Sequence, residues 1–311
     1  MILSVSRRTD IPACYWDWFL NRVKEGYLYV KNPMNPHQVS KIEVSPETVD
    51  CMVFWTKNPG PMLEKMEEIQ DYPFYVQFTL TGYGKEIEPG LSDKRRLVSL
   101  FQELSRRIGK ERVIWRYDPI FLNPSYSPAW HVNTFEETGR QLKDYTEKCV
   151  ISFLDFYGKT ERNIKGLNIR HIEREEMYFL AEKLKEKAEN MGLVLETCGE
   201  ELDFQSLGIS HGSCIDKTLI ERILGCRLKG RKDRNQRPAC GCMESIEVGA
   251  YDTCLNGCRY CYANENREAV QQRRRRYHVN SPLLCGNLEQ GDTVTVRKMK
   301  SLKEPQLRLV Y

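Results

Sequence analysis

The sequence predicts an α/β protein: a full or partial β/α (TIM-like) barrel over residues 1–200, followed by a cysteine-rich metal-cluster region over 201–311. Three observations carry this expectation. Six short apolar runs alternate with segments of helical spacing, polar side chains gather where those runs end, and nine of the twelve cysteines lie from Cys198 onward. A chain of 311 residues with 41% apolar and 10% aromatic content can bury a sizeable core. Its 47 Lys and Arg against 43 Asp and Glu leave a net charge of +4. That balance excludes a disordered chain and a wholesale nucleic-acid coat. No run approaches the roughly 18 apolar residues of a membrane helix, and Arg7-Arg8 come before any signal-peptide core could form. A cytoplasmic chain with reduced thiols is expected, in which surplus cysteines read as metal ligands or redox groups.

The apolar runs are Ile2–Ser6, Cys51–Thr56, Tyr75–Thr81, Val113–Tyr117, Cys149–Phe156 and Leu193–Thr197, each rich in β-branched or aromatic residues. Such runs read as buried strands. Lys94–Ile108 carries Leu97, Val98, Leu100, Phe101, Leu104 and Ile108 largely along one helical face, with Ser92 or Asp93 as cap and Gly109 after the end. Glu173–Met191 repeats this pattern. Tyr15–Glu25, Pro61–Ile69 and Thr134–Thr146 are weaker helical segments, and Tyr27–Val44 reads as a hairpin inserted after the first helix. Strand–helix alternation implies parallel strands with right-handed crossovers, in a doubly wound sheet or a barrel. The strand ends carry Arg7, Arg8 and Asp10; Lys57; Gln77; Arg116 and Asp118; Ser152 and Asp155; and Glu196, Cys198 and Glu200. Ligands bind at the carboxyl ends of such strands, so a functional rim is expected there.

Beyond Glu200 the periodicity breaks down. Residues 222–237 hold seven basic side chains against one acid, Asp233, and Arg273–Arg276 falls within an expected helix over Asn264–Tyr277. Either run reads as a solvated surface or as a phosphate or nucleic-acid contact. The most specific signal is Cys254-Leu255-Asn256-Gly257-Cys258-Arg259-Tyr260-Cys261, a C-x3-C-x2-C spacing. Three thiolates on one loop grip three corners of a [4Fe–4S] cluster and leave the fourth iron open to a chelating cosubstrate. Tyr260, just before Cys261, is placed to lie against a cofactor at that iron. Zinc is the competitor, but it asks for four closed ligands, and His278 is a poor fourth. Cys198, Cys214, Cys240 and Cys242 make up a second set, suited to an auxiliary [4Fe–4S] cluster or to structural zinc, with Cys226 and Cys285 left over.

The cysteine loop resembles that of radical S-adenosylmethionine enzymes, and Cys258-Arg259-Tyr260-Cys261-Tyr262-Ala263 is similar to the CxYCYA string of spore photoproduct lyase relatives. Ser6-Arg7-Arg8-Thr9-Asp10-Ile11-Pro12, Val53–Pro59 and Val113–Pro119, together with the loop, further resemble a bacterial family known only as a domain of unknown function. The first resemblance implies a [4Fe–4S] cluster at Cys254, Cys258 and Cys261, S-adenosylmethionine as cosubstrate, hydrogen abstraction from a substrate, and an electron donor such as flavodoxin or ferredoxin. It gives Arg116 or Lys57 the cosubstrate carboxylate, and Asp118, Glu196 or Glu200 its ammonium or ribose hydroxyls, with Arg7, Gln77 and Tyr260 around the cofactor. One departure stands out. In most such enzymes the cluster loop follows the first barrel strand, whereas here it comes after the last expected one. The rival function is a zinc-binding, nucleic-acid-binding protein. No histidine spacing suggests a metal site, and His211 in Ser210-His211-Gly212-Ser213-Cys214 is the one histidine singled out as a site candidate.

Overall fold

The computed structural model describes residues 1–304. Eight strands form one sheet: β1 (Ile2–Val5), β4 (Cys51–Thr56), β5 (Phe74–Thr79), β6 (Val113–Ile120), β7 (Lys148–Phe153), β8 (Val194–Thr197), β9 (Ser210–His211) and β10 (Ile246–Glu247). Their order is β10-β1-β4-β5-β6-β7-β8-β9, and every neighbouring pair is parallel. The hairpin β2 (Tyr27–Asn32) and β3 (Asn35–Glu43) is antiparallel and joins β11 (Thr293–Val296) in a second, three-stranded sheet.

The helices are α1 (Ile11–Cys14), α2 (Trp16–Glu25), α3 (Gly60–Glu64), α4 (Lys94–Ile108), α5 (Pro128–Leu142), α6 (Gly158–Asn163), α7 (Arg174–Asn190), α8 (Lys217–Leu224) and α9 (Arg267–Arg275). Asp93 caps α4 by accepting from the Arg95 N–H, and α7 opens with a reciprocal capping box between Glu173 and Glu176. The fifth helix begins at Pro128, six residues before the expected start, because Ser127 accepts from the Trp130 N–H and proline suits the first turn.

Alternation along each strand sorts the side chains to two faces. On one face Leu3, Phe54, Phe78, Trp115 and Ile151 pack under α2, α4, α5 and α7 in the main core. On the other face Ile2, Val53, Tyr75, Ile114 and Val150 are covered by residues 214–243, including Ile215, Ile220 and Met243. The four long helices therefore share one layer, and the cysteine-bearing segment forms the opposite one.

Three elements depart from the sequence-based expectation. Residues beyond Glu200 contribute a helix, α8, and two strands of the main sheet. The two-residue strand β10 pairs Ile246 with Leu3 and Glu247 with Ser4, so the chain returns to the sheet edge beside β1 before entering the cysteine loop. In chain order the loop comes last; in the sheet it follows the strand next to the first.

Candidate functional site

The carboxyl ends of β1, β4, β5 and β10 meet around one carboxylate. Asp10 is buried and accepts hydrogen bonds from the Lys57 N–H at 2.8 Å, the Asn256 amide at 2.8 Å and the Ala13 N–H at 3.0 Å. Thr9 Oγ donates to the Ala250 carbonyl at 2.8 Å, and the Tyr15 hydroxyl donates to that of Thr253 at 2.7 Å. From the loop after β5, the Gly90 N–H donates to the Asn256 carbonyl at 3.0 Å, and the Arg259 N–H donates back to Ile87 at 2.9 Å. A Cβ on Gly90 would lie 2.4 Å from the Asn256 oxygen, so only glycine admits this approach. The cysteine loop is thus clamped by the segments that follow β1 and β5, and Gly257 lets it turn at a φ of 66°.

Within that clamp stand Cys254, Cys258 and Cys261. The neighbouring Cys14 thiol holds Cys254 below its ordinary value although burial opposes this, and Cys14 Sγ itself lies 4.0 Å from Asn256 Oδ1. Burial pushes Cys258 well up and Cys261 to about 11. Backbone N–H groups of Asn256 and Asp10 serve Cys254, and those of Ala263 and Asn264 serve Cys261. Beside them Lys57 donates to Glu88 Oε1 at 2.9 Å and lies 5.4 Å from the Tyr260 ring centroid. Glu88 also receives Lys94, the Tyr260 hydroxyl and the Thr81 hydroxyl. Burial works against its charge, yet Lys57 and Lys94 hold it at about 2.

A second group sits on the face of the sheet that residues 214–243 cover. Cys198 and Cys214 bring their sulfurs to 3.0 Å, Cys214 also hydrogen-bonds Cys242, and Cys242 bonds Cys240. The Ile215 N–H donates to Cys242 Sγ at 3.4 Å. Arg116 donates to Cys214 Sγ at 3.1 Å and forks onto Asp118 through Nε at 3.0 Å and through Nη2. Gln77 and Tyr75 both donate to the Cys214 carbonyl. Arg7 faces Cys242, Cys214 and Cys240, with Trp55 at 5.4 Å, and its Nη2 is buried without a hydrogen-bond partner among the described residues. The hydrogen bonds from Cys198 and Cys242 hold the Cys214 thiol well below its ordinary value; burial opposes this, and Arg116 and Arg7 reinforce it. Cys240 is brought to about 6 by its bond to Cys242.

The expected rim residues divide accordingly. Arg7, Gln77, Arg116 and Asp118 surround the second group, while Lys57 and Tyr260 flank the first. Glu200 accepts from the Phe153 N–H at 2.7 Å, and burial raises it to about 7. Glu196 stands apart from both. It shares Lys148 with Asp216, each at 2.9 Å, and lines a depression with His211. His211 Nδ1 lies 3.2 Å from Thr197 Oγ. Of the basic runs, Arg222 pairs with Glu147, Arg237 with Asp155, and Arg276 with Glu289, while Arg274 stacks on Tyr277 and Tyr15. Cys14 is the residue that sequence reasoning missed. Its one sequence signal is position, just past the polar run Ser6–Asp10 that ends the first strand. Among the described residues no group of three or more His, Cys, Asp or Glu side chains is arranged as ligands about one point. The thiols instead touch pairwise.

A family model described as Domain of unknown function (DUF1848) matches residues 2–263. The chain belongs to that family. The match ends two residues past Cys261, so the family's span takes in both thiol groups and the whole eight-stranded sheet. No curated protein and no solved structure matches the chain. Among the described residues, no helix is long and apolar enough to cross a membrane.

Proposed function

We propose that this member of the family is a cytoplasmic radical S-adenosylmethionine enzyme built on a partial β/α barrel, with Cys254, Cys258 and Cys261 holding a [4Fe–4S] cluster. The observation that carries the reading is the position of the C-x3-C-x2-C loop. It leaves the carboxyl end of β10, the parallel neighbour of β1, and meets the loops after β1, β4 and β5 there. The late place of the loop in the sequence is thus a matter of chain order and not of position in the sheet. The single layer of long helices on one face suits a barrel wall better than a doubly wound sheet, which is covered by helices on both faces.

The residues present fit the group. Three thiols stand on one half-buried loop, and Cys254 and Cys261 carry backbone N–H donors that suit thiolate ligands. Burial keeps Cys258 and Cys261 protonated until a metal takes the proton's place. A bound cluster of this kind supplies one-electron reductive cleavage of the sulfonium C–S bond of S-adenosylmethionine, with electrons from a donor such as flavodoxin or ferredoxin. The chain itself binds and orients. Lys57 is the cation beside the loop for a desolvated carboxylate, and Tyr260 supplies an apolar wall. Asp118 and Glu200 are the carboxylates for an ammonium or ribose hydroxyls. Glu196, already neutralised by Lys148, has a structural part. Cys198, Cys214, Cys240 and Cys242 hold a second metal, zinc or an auxiliary cluster, whose thiolate charge Arg116 and the unpartnered Nη2 of Arg7 offset.

Anaerobic reconstitution with iron and sulfide, followed by dithionite and S-adenosylmethionine, tests the reading. A brown protein that forms 5′-deoxyadenosine is expected, and Ala at Cys254, Cys258 and Cys261 together should remove about four irons and abolish the product. A colourless protein holding only zinc supports the nucleic-acid-binding alternative, and a triple variant that still yields 5′-deoxyadenosine rules out this cluster site.

A further inference from the structure

Helix α9 follows the cysteine loop directly and is fastened to it at both ends. Before its start the Asn264 amide donates to the Cys254 carbonyl at 2.8 Å. In its last turn Arg274 lies 5.4 Å from the ring centroid of Tyr15, whose hydroxyl donates to the Thr253 carbonyl at 2.7 Å. From Asn264 to His278 the chain carries five arginines and no lysine, against the acids Glu265 and Glu268. All five arginines are exposed. Glu265 is already taken by Lys159 and Arg162, and Arg276 pairs with Glu289. Arg267, Arg273 and Arg275 have no ion pair among the described residues. Lysine would serve as well on a face that only had to stay solvated, whereas arginine is enriched and lysine depleted in protein interfaces. The loop adds Leu255, next to Cys254 and 41% exposed, and an apolar contact beside a charged rim is the usual anatomy of such an interface. The other basic run, residues 222–237, goes with the segment on the opposite face of the sheet from Tyr15. The two runs therefore do not join into one track for a nucleic-acid backbone.

We propose that α9 and Leu255 form the docking face for an acidic one-electron donor protein that reduces the centre at Cys254, Cys258 and Cys261. This inference rests on the cluster reading above. One electron passes from the donor's reduced flavin or iron–sulfur group to the cluster: the donor is oxidised by one electron, the cluster is reduced by one, and no bond forms or breaks in this step. Carboxylates on the donor are steered to the unpaired arginines, which seats its redox group against the loop that holds the metal.

The test compares reconstituted wild type with two triple variants, carrying Glu or Gln in place of Arg267, Arg273 and Arg275. Formation of 5′-deoxyadenosine is driven either by dithionite or by photoreduced flavodoxin, an acidic flavoprotein, at low and high salt. Dithionite rates should be equal, while flavodoxin drives the Glu variant about tenfold more slowly than wild type and the Gln variant between them. High salt should slow the flavodoxin-driven wild type and narrow these differences. Equal flavodoxin rates in all three proteins, or loss of both rates together in both variants, overturn the docking face and leave the cluster reading standing. So does a wild type that turns over with dithionite but not with flavodoxin. A labelled single-stranded oligonucleotide that binds wild type and neither variant, with flavodoxin rates equal, reassigns the face to nucleic acid. Failure of wild type to form 5′-deoxyadenosine with dithionite overturns the cluster reading itself.

Discussion

The two thiol groups of this chain are built by opposite means. Around Cys254, Cys258 and Cys261 the scaffold is largely backbone: the loops after β1 and β5 hydrogen-bond the cysteine loop, and one carboxylate, Asp10, ties it to the loop after β4 as well. Around Cys214 the scaffold is charge: Arg116 and Arg7 face the sulfurs from the floor of the sheet, and Asp118 balances Arg116. A loop held by backbone can shift when a ligand arrives. A sulfur set against buried guanidiniums cannot move without leaving them unpaired, which is costly. On the proposed function, the difference suits ligand binding at the first group and a fixed part for the second.

The most severe way to break the comparison is Arg116→Leu. Arg116 is 5% exposed and serves both Cys214 and Asp118. Removing one partner of a buried, hydrogen-bonded charge set costs about 3–5 kcal/mol. Urea melts should show a loss of that size, and metal analysis should show the second group depleted while the first keeps its iron. A cost below about 1 kcal/mol, or equal depletion of both groups, would remove the distinction between them.

Acid should act on the first group through Glu88. Its folded value of about 2 lies below the ordinary 4.5, so its stabilising part is complete above pH 4.5 and is lost as pH falls from there toward 2. The shift corresponds to roughly 3 kcal/mol. In metal-free protein the stability gap between wild type and Glu88→Gln should be widest near neutrality and close across that window. A gap that does not change with pH would show that Glu88 matters only for shape. The pairing of Lys57 with Glu88 beside Tyr260 should then be assigned to packing.

How far the sequence was legible depends on the range of the interactions involved. Lys94–Ile108 could be read to the residue because its apolar stripe, the Asp93 cap and the terminal Gly109 are all local. The six long strands could be read for the same reason. Strand β10 could not: two residues carry no period, and what makes Ile246 and Glu247 a strand is the open edge of β1. The grouping of Cys198, Cys214, Cys240 and Cys242 was visible from composition, since thiols that sit outside any periodic element ask for a shared purpose. Cys14 was not, because its link to Cys254 runs through Asp10 and Asn256, a tertiary contact with no local trace. Glu196 reads as a rim residue because it ends a strand. Its neighbour across the sheet is Val150, however, and Lys148 on the same strand claims its carboxylate.

The smallest and most discriminating comparison uses two glycines. Gly90 presses on the first group and Gly241 stands between Cys240 and Cys242 in the second. A Cβ at Gly90 would meet the Asn256 carbonyl oxygen at 2.4 Å and its carbon at 2.8 Å, both backbone atoms of the cysteine loop. Neither the loop nor the Gly90 segment can yield by turning a side chain, so Gly90→Ala must push the loop outward. A cost of about 1–3 kcal/mol is expected, as for other overpacked contacts. A Cβ at Gly241 would meet Ser213 Oγ at 2.6 Å, with nothing else nearer than 3.6 Å. A hydroxyl rotates away at little cost, and the alanine restricts the unfolded chain, so Gly241→Ala should change stability by less than about 1 kcal/mol in either direction. If clamping by backbone is what shapes the first group, Gly90→Ala should also lower its iron content while Gly241→Ala leaves the second group's metal untouched. Full iron loading in Gly90→Ala would mean that the loop finds its own shape, and the clamp formed by its neighbours would lose its assigned part.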